Sequence, residues 1–119
     1  MDIKKVLVLG GGTMGNGIAH VCAQYGFDVQ LKDLTDDVLA KSVGIIKKNM
    51  ERQVRKEKMT EADMKAALGR IKTITKNEDI DSNVDLMVEA VFEDVELKKK
   101  EFAVMDELLP AHTILATNT

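Results

Sequence analysis

The fold of this chain is decided by the stretch Val6-Leu7-Val8-Leu9-Gly10-Gly11-Gly12-Thr13-Met14-Gly15. A short apolar run precedes the glycines and an amphipathic segment, Met14 to Tyr25, follows them. This order predicts a buried strand, a glycine turn and the start of a helix. Three of the glycines, Gly10, Gly12 and Gly15, stand in the register G-x-G-x-x-G.

Each glycine of that register has a physical task. The first allows the tight turn, the second allows the backbone to approach a pyrophosphate, and the third allows the helix to pack closely on the strand. The N-terminus of the helix then presents free N–H groups and the positive end of its dipole to the phosphates. Three adjacent glycines also suit a turn that is merely flexible, but the flanking strand and helix favour a dinucleotide site.

The composition is that of an ordinary globular domain. The chain has 119 residues, 45% of them hydrophobic and 31% charged, with a net charge of −3. These values give no sign of a nucleic-acid or membrane partner. Cys22 is the only cysteine, so an internal disulfide is excluded and we expect a reducing cytoplasm as the location.

The predicted elements alternate along the chain. The predicted strands are Ile3–Leu9, Phe27–Lys32, Ile71–Thr75, Val84–Val91 and Thr113–Thr117. The intervening segments predict four helices: the first ends at Gly26, two more begin after the N-caps Thr35 and Thr60, and the last spans Val95–Leu109. Alternation of this kind predicts an α/β fold, a Rossmann-type doubly wound parallel sheet. We expect residues 1–119 to form one dinucleotide-binding domain with about five strands.

The helical periodicity also predicts which side chains reach the core. In the first helix the apolar residues at helical spacing are Met14, Ile18, Val21, Cys22 and Tyr25. In the long second helix they are Leu39, Val43, Ile46, Met50 and Val54. These sets are the predicted core faces of the two helices.

An acidic residue follows the second predicted strand. Asp33 lies eighteen residues beyond Gly15, close to the spacing at which a carboxylate accepts hydrogen bonds from the adenosine ribose. The alternative is an ordinary acidic residue near a helix start, of the kind that Asp36 and Asp37 represent. A carboxylate repels a 2′-phosphate, whereas the adjacent Lys32 attracts one, so the residues favour NAD over NADP without excluding NADP.

Several separate motifs, in order, carry a family resemblance. They are Gly10 to Ala19, then Asp33, then Val88-Glu89-Ala90-Val91-Phe92-Glu93, then Lys98, and finally Ala116-Thr117-Asn118-Thr119. Together they resemble the N-terminal part of the 3-hydroxyacyl-CoA dehydrogenases, above all the 3-hydroxybutyryl-CoA type. The resemblance covers the whole chain without large gaps.

The resemblance implies a role for each matching position. The turn residues Gly10, Gly11, Gly12, Thr13, Met14 and Gly15 would hold the pyrophosphate of NAD. Asp33 would bind the adenosine ribose, and Glu93 and Lys98 would contact the ribose on the nicotinamide side. Asn118, at the end of the last strand, would add a backbone or amide contact. A solvated face of Lys98, Lys99 and Lys100 is the alternative for Lys98.

A basic segment precedes the third helix. Six basic residues lie between Lys47 and Lys58, against the acidic Glu51 and Glu57. A solvated helix face with charge pairs at i,i+4 explains this pattern. The family resemblance adds a contact with coenzyme A, in which Lys56 matches a CoA-binding lysine and Asn49 stands where some members have serine.

The sequence offers no catalytic group or metal site in a credible place. His20 lies in the first predicted helix and His112 precedes the last strand, remote from the cofactor edge. In the resembled family a catalytic serine follows Asn118 and Thr119, and a histidine, a glutamate and a helical domain come later. We therefore expect cofactor binding without turnover, and self-association through the last strand. Alternatives are a redox-sensing NAD module and another Rossmann 3-hydroxyacid oxidoreductase.

Overall fold

Strands and helices alternate around one parallel sheet in a computed structural model that describes residues 3–10, 12–89 and 114–117. The strands are β1 (Lys5–Leu9), β2 (Asp28–Lys32), β3 (Ile71–Ile74), β4 (Leu86–Glu89) and β5 (Ile114–Thr117). Their order in the sheet is β3-β2-β1-β4-β5, and every neighbouring pair is parallel. The predicted Rossmann-type α/β fold is confirmed.

Three α-helices connect the first strands: α1 (Thr13–Gln24), α2 (Asp36–Arg55) and α3 (Glu61–Gly69). A short 3₁₀ turn, Asn77–Asp79, precedes β4. Both predicted N-caps are confirmed, because the hydroxyl of Thr35 accepts from the N–H of Val38 at 3.2 Å and that of Thr60 accepts from Asp63 at 3.1 Å. The predicted helix 95–109 lies outside the described residues.

The sheet is buried on both faces. Val6, Val8, Val29 and Leu31 pack on one face with side chains of the three helices. Leu7, Leu9 and Met87 form a second cluster on the other face. A strand buried on both faces reads as a continuous apolar run, which is why β1 shows no alternation in the sequence.

The strand order creates a crevice beside the first strand. From β1 the chain moves outward to β2 and β3, and it then returns to the opposite side of β1 to form β4. The direction of winding therefore reverses between β1 and β4. In open parallel sheets, ligands bind at such a reversal, outside the carboxyl ends of the strands.

The predicted core face of α1 is wrong for three of its five residues. Met14, Val21 and Tyr25 are 49%, 52% and 76% exposed, while only Ile18 and Cys22 pack against the core. The side chains that α1 buries completely are those of Ala19 and Ala23. The helix lies so close to the sheet that only small residues fit between them, so the large apolar side chains are directed away.

The core face of α2 is confirmed. Leu39, Ile46 and Met50 are buried, and Val43 and Val54 are partly buried. Ser42 is buried with them. Among the described residues, no helix has both the length and the apolar character that crossing a bilayer requires.

The first two helices end in the same conformation but with a different residue at the left-handed position. Gly26 follows α1 with φ +97°, and Glu57 follows α2 with φ 58°. In each case the N–H groups of two successive residues donate to carbonyls of the last turn, at 3.2 and 3.0 Å after α1 and at 3.0 and 2.9 Å after α2. This is a Schellman ending, whose left-handed residue is usually glycine. Glu57 therefore holds a backbone conformation that is unfavourable for its side chain.

Replacing Glu57 with glycine should stabilise the protein. The change relieves the left-handed strain and loses part of this gain to the greater freedom of glycine in the unfolded chain, so we expect the free energy of unfolding to rise by about 0.5–1 kcal/mol. Thermal unfolding of Glu57→Gly would show this as an increase of about 2–5 °C in Tm. The matched control is Glu57→Ala, which removes the carboxylate but keeps Cβ and should give no comparable increase.

Candidate functional site

The glycine turn joins β1 to α1 at the carboxyl edge of the sheet. Gly10 has φ +101°, a conformation that side-chain-bearing residues avoid. Its N–H donates to the carbonyl of Lys32 at 2.7 Å. This bond ties the end of β1 to the end of β2, so the turn has a fixed position relative to both strands.

Gly15 sets how closely the helix approaches the turn. A Cβ atom at this position would lie 2.8 Å from the carbonyl carbon of Gly10, closer still to the carbonyl oxygen, and 3.7 Å from Cγ1 of Val8. Real Cβ atoms do not approach backbone atoms so closely. The predicted role of Gly15 in close packing is therefore confirmed.

Gly12 has the opposite environment. It is the N-cap of α1, with φ −74° and ψ −172°, and a Cβ atom added there would meet no atom within 4 Å. Its carbonyl accepts the N–H of Asn16 at 2.8 Å, which begins the helix. Gly12 has no side chain to cap α1, so the open space above it lies beside amide donors. This cradle fits a pyrophosphate, which a side chain at Gly12 would displace.

Of the other three turn residues, one is described in full, one only in its backbone and one not at all. The backbone of Thr13 begins α1, and Met14 is half-exposed in its first turn. Gly11 lies outside the described residues. The structure thus places Gly10, Gly12 and Gly15 in the predicted arrangement, while the contacts of all six residues with a cofactor stay predictions.

Asp33 lies one strand away from the turn, directly after β2. Its N–H donates to the carbonyl of Ile74 at 3.3 Å, and its Oδ1 accepts the N–H of Leu34 at 2.7 Å. The carboxylate is half-buried. Because Leu9 pairs with Lys32, Asp33 and Gly10 occupy neighbouring positions at the same sheet edge. This is the arrangement that adenosine ribose binding requires.

The remaining predicted cofactor residues fall outside the described part of the chain. These are Glu93, Lys98 and Asn118. The strands before them, β4 and β5, end at Glu89 and Thr117, which pair with each other and, through Leu9, with β1. The carboxyl ends of β1, β4 and β5 therefore share the edge that carries the glycine turn.

A second candidate site lies between α1 and α2. A groove of about 360 Å³ is lined by His20, Asn49, Arg52, Gln53, Lys56 and Lys58. It brings together both positions that the sequence linked with coenzyme A, Asn49 and Lys56. Asn49, Arg52 and Gln53 of α2 and Lys56, which caps the C-terminus of α2, follow one another at i, i+3, i+4 and i+7, so they lie on one side of the helix.

A hydrogen-bonded chain forms one wall of this groove. Nε2 of His20 lies 2.8 Å from Oε1 of Gln53, and Nε2 of Gln53 donates to Oε1 of Gln24 at 3.3 Å. Neither His20 nor Gln53 belongs to a sequence motif that predicts a function. The i,i+4 spacing of His20 and Gln24 was a signal that they share a face of α1, but their meeting with α2 depends on the tertiary fold.

The described residues contain no cluster of metal ligands and no activated thiol. No group of three or more His, Cys, Asp or Glu side chains among them could hold a metal ion. Burial raises the pKa of the Cys22 thiol, which disfavours the reactive thiolate. His20 lies in the groove beside α1 and not at the carboxyl edge of the sheet.

Comparison with known proteins identifies the family. The model of the 3-hydroxyacyl-CoA dehydrogenase NAD-binding domain matches residues 5–119. This chain belongs to that family. The family model is that of an NAD-binding domain, and the glycine cradle and Asp33 lie within the matched residues.

Relatives and solved structures agree with this assignment. The chain is 43% identical over 117 residues to a 3-hydroxybutyryl-CoA dehydrogenase of Bradyrhizobium diazoefficiens and 40% identical over 115 residues to one of Clostridioides difficile. It covers 40% and 41% of their lengths, and these matches cover 98% and 97% of the chain.

A crystal structure of (S)-3-hydroxybutyryl-CoA dehydrogenase from Ralstonia eutropha matches 99% of this chain and 41% of its own, with 39% identity and a TM-score of 0.93. The chain therefore spans about two fifths of the length of these relatives.

A side chain at Gly12 should leave the fold of the glycine turn intact but should block NAD binding. The backbone of Gly12 is extended and its surroundings are open, so Gly12→Val should fold with an unchanged Tm while the valine fills the pyrophosphate space. Isothermal titration with NADH should show loss of binding by more than about tenfold.

The matched control is Gly17→Val, one turn further along α1, where an added Cβ also meets no atom within 4 Å. This variant should bind NADH like the wild type. Tight NADH binding by Gly12→Val would contradict the assignment of the turn.

Proposed function

We propose that this NAD-binding domain serves an L-3-hydroxyacyl-CoA dehydrogenase of the 3-hydroxybutyryl type. NAD, when bound, supplies a nicotinamide that accepts hydride from C3 of the 3-hydroxyacyl-CoA and returns it to the 3-ketoacyl-CoA. The observation that carries the proposal is the cradle of Gly10, Gly12 and Gly15 with Asp33 at the neighbouring strand end. The names of the relatives support the substrate class.

The charges around Asp33 support NAD over NADP. Asp33 is followed by Asp36 and Asp37 in the first turn of α2, where they suit the helix dipole. The three carboxylates repel a 2′-phosphate on the adenosine ribose, and Lys32 is the single cation beside them in the sequence. We propose that the net negative charge of these four side chains disfavours NADPH binding.

The groove between α1 and α2 supports a contact with coenzyme A. Arg52, Lys56 and Lys58 line it together with the polar Asn49. Guanidinium and ammonium groups are the side chains that bind phosphate oxygens most strongly. We propose that this groove receives a phosphate-bearing part of CoA, with Lys56 and Asn49 as contacts.

We also propose how this domain is placed within a larger enzyme and within the cell. Residues 1–119 form the dinucleotide-binding domain, and the acyl pocket and catalytic acid–base groups belong to other parts of a complete dehydrogenase. β5 lies at the end of the described sheet and its Ile114 is exposed, which supports self-association through this edge. The single Cys22 supports a reducing compartment such as the cytoplasm.

Removing the Asp33 carboxylate should weaken NADH binding. Asp33→Ala loses the acceptor for the ribose hydroxyls, and we expect the Kd for NADH to rise by about tenfold, as for the loss of hydrogen bonds to a charged group. The affinity for NADPH should change less, because a repulsion is lost at the same time. Titrations with both nucleotides measure the two effects.

The control is Asp37→Ala, which removes an equal charge from an exposed position in the first turn of α2. It should leave the Kd for NADH within about twofold of the wild-type value. An unchanged NADH affinity in Asp33→Ala would remove Asp33 from the site.

The 119-residue chain should bind NADH without oxidising it. Reduction of a 3-keto group needs a proton donor held against the carbonyl oxygen, and His20 lies in the groove beside α1 instead of at the cofactor edge. Absorbance at the nicotinamide band, followed with acetoacetyl-CoA and NADH, should stay constant. A clear oxidation rate would show that the chain carries a catalytic acid that we have not assigned.

A further inference from the structure

The hydrogen bonds of Gln53 assign the hydrogen of the neutral His20 ring to Nε2. Nε2 of Gln53 donates to Gln24, so the atom that faces His20 is the carbonyl oxygen Oε1, at 2.8 Å. A carbonyl oxygen only accepts, and in this orientation Nε2 of His20 therefore carries a hydrogen. The neutral imidazole has a bare Nδ1, which becomes a second donor only when the ring is protonated.

The ring lies among cations. His20 of α1 lines the same groove as Arg52 of α2 and as Lys56 and Lys58, which follow the end of α2. None of the residues that line it is acidic. The carboxylates nearest in sequence, Glu51 and Glu57, line other depressions on α2 and the following turn. A protonated His20 adds a fourth positive charge to the groove.

We propose that His20 is a proton-dependent phosphate ligand in this groove. The proposal rests on the proposed contact between the groove and CoA. The imidazolium donates its Nδ1 hydrogen to a phosphate oxygen of CoA, while Nε2 stays bonded to Gln53 and keeps the ring in place. Binding of the CoA phosphate therefore favours the protonated form of His20.

The sign of the pH dependence follows from this geometry. A bound phosphate favours the charged ring, and the charged ring favours the phosphate. The contribution of His20 is therefore present when the ring is protonated and is lost when rising pH removes that proton. The neutral ring has no hydrogen on Nδ1 and therefore offers no donor to a phosphate oxygen there.

The test compares wild-type protein with His20→Gln by isothermal titration with free CoA. The glutamine amide retains a neutral donor for Gln53 but does not titrate. The terminal phosphate of CoA itself titrates near pH 6, so the quantity of interest is the ratio of the two Kd values at each pH. At about pH 5.5 the variant should bind about fivefold more weakly, and at about pH 8 the two proteins should agree within about twofold.

Two further variants test whether the effect of a positive charge on CoA binding depends on its position in the groove. Arg52→Gln removes a permanent cation from the groove and should weaken CoA binding at every pH. Lys47→Gln removes an exposed α2 cation that does not line the groove and should change the affinity by less than about twofold at every pH.

A Kd ratio that is independent of pH would overturn the proposal for His20. Absence of CoA binding at every pH, in protein that still binds NADH, would overturn both the proposal and the CoA groove while leaving the NAD site intact. NADH titrations of each variant at the same pH values distinguish these outcomes from failure of the NAD site. His20→Gln should bind NADH like the wild type.

Discussion

The close approach of α1 to the glycine turn is the constraint on which the rest of the structure depends. The backbone of Gly10 occupies the space where a Cβ of residue 15 would lie, and the bond from Gly10 to Lys32 fixes the turn against β2. A helix held at this distance has room only for small side chains beneath it. Ala19 and Ala23 continue the contact along α1, and together these residues aim the helix N-terminus at the edge where Asp33 lies.

The same constraint explains where sequence reasoning about α1 succeeded and failed. The glycine register predicted the turn, the helix start and the approach to the strand, because Gly10 and Gly15 answer conformational and steric demands within a few residues. Hydrophobic periodicity then predicted a core face of large residues, and Met14, Val21 and Tyr25 are instead exposed. Periodicity reports which residues share a face, but the distance between helix and sheet decides whether that face or the small-residue face is buried.

For α2 the same reasoning was correct, because nothing forces that helix unusually close to the sheet. Leu39, Ile46 and Met50 fill the space between α2 and the strands. The caps at Thr35 and Thr60 were also predictable, since a hydroxyl and an amide three residues later suffice to form them. The groove was only partly predictable: its basic residues are visible in the sequence, but its second wall comes from α1, and no local pattern states how two helices meet.

The glycine cradle and the groove both depend on the position of α1. The N-terminus of α1 faces the carboxyl edge of the sheet and presents amide donors there, while its side carries His20 and Gln24 against Gln53 of α2. A shift of α1 away from the sheet would disturb the NAD cradle and the groove together. Because the Gly10–Gly15 contact leaves no room for a Cβ, α1 is pinned at its N-terminal end, and the hydrogen bonds to Gln53 link its middle and its last turn to α2. The glycine cradle and the groove are thus both held by α1. This suits the substrate that we propose, because CoA bound in the groove would have to bring its reacting carbon to the nicotinamide.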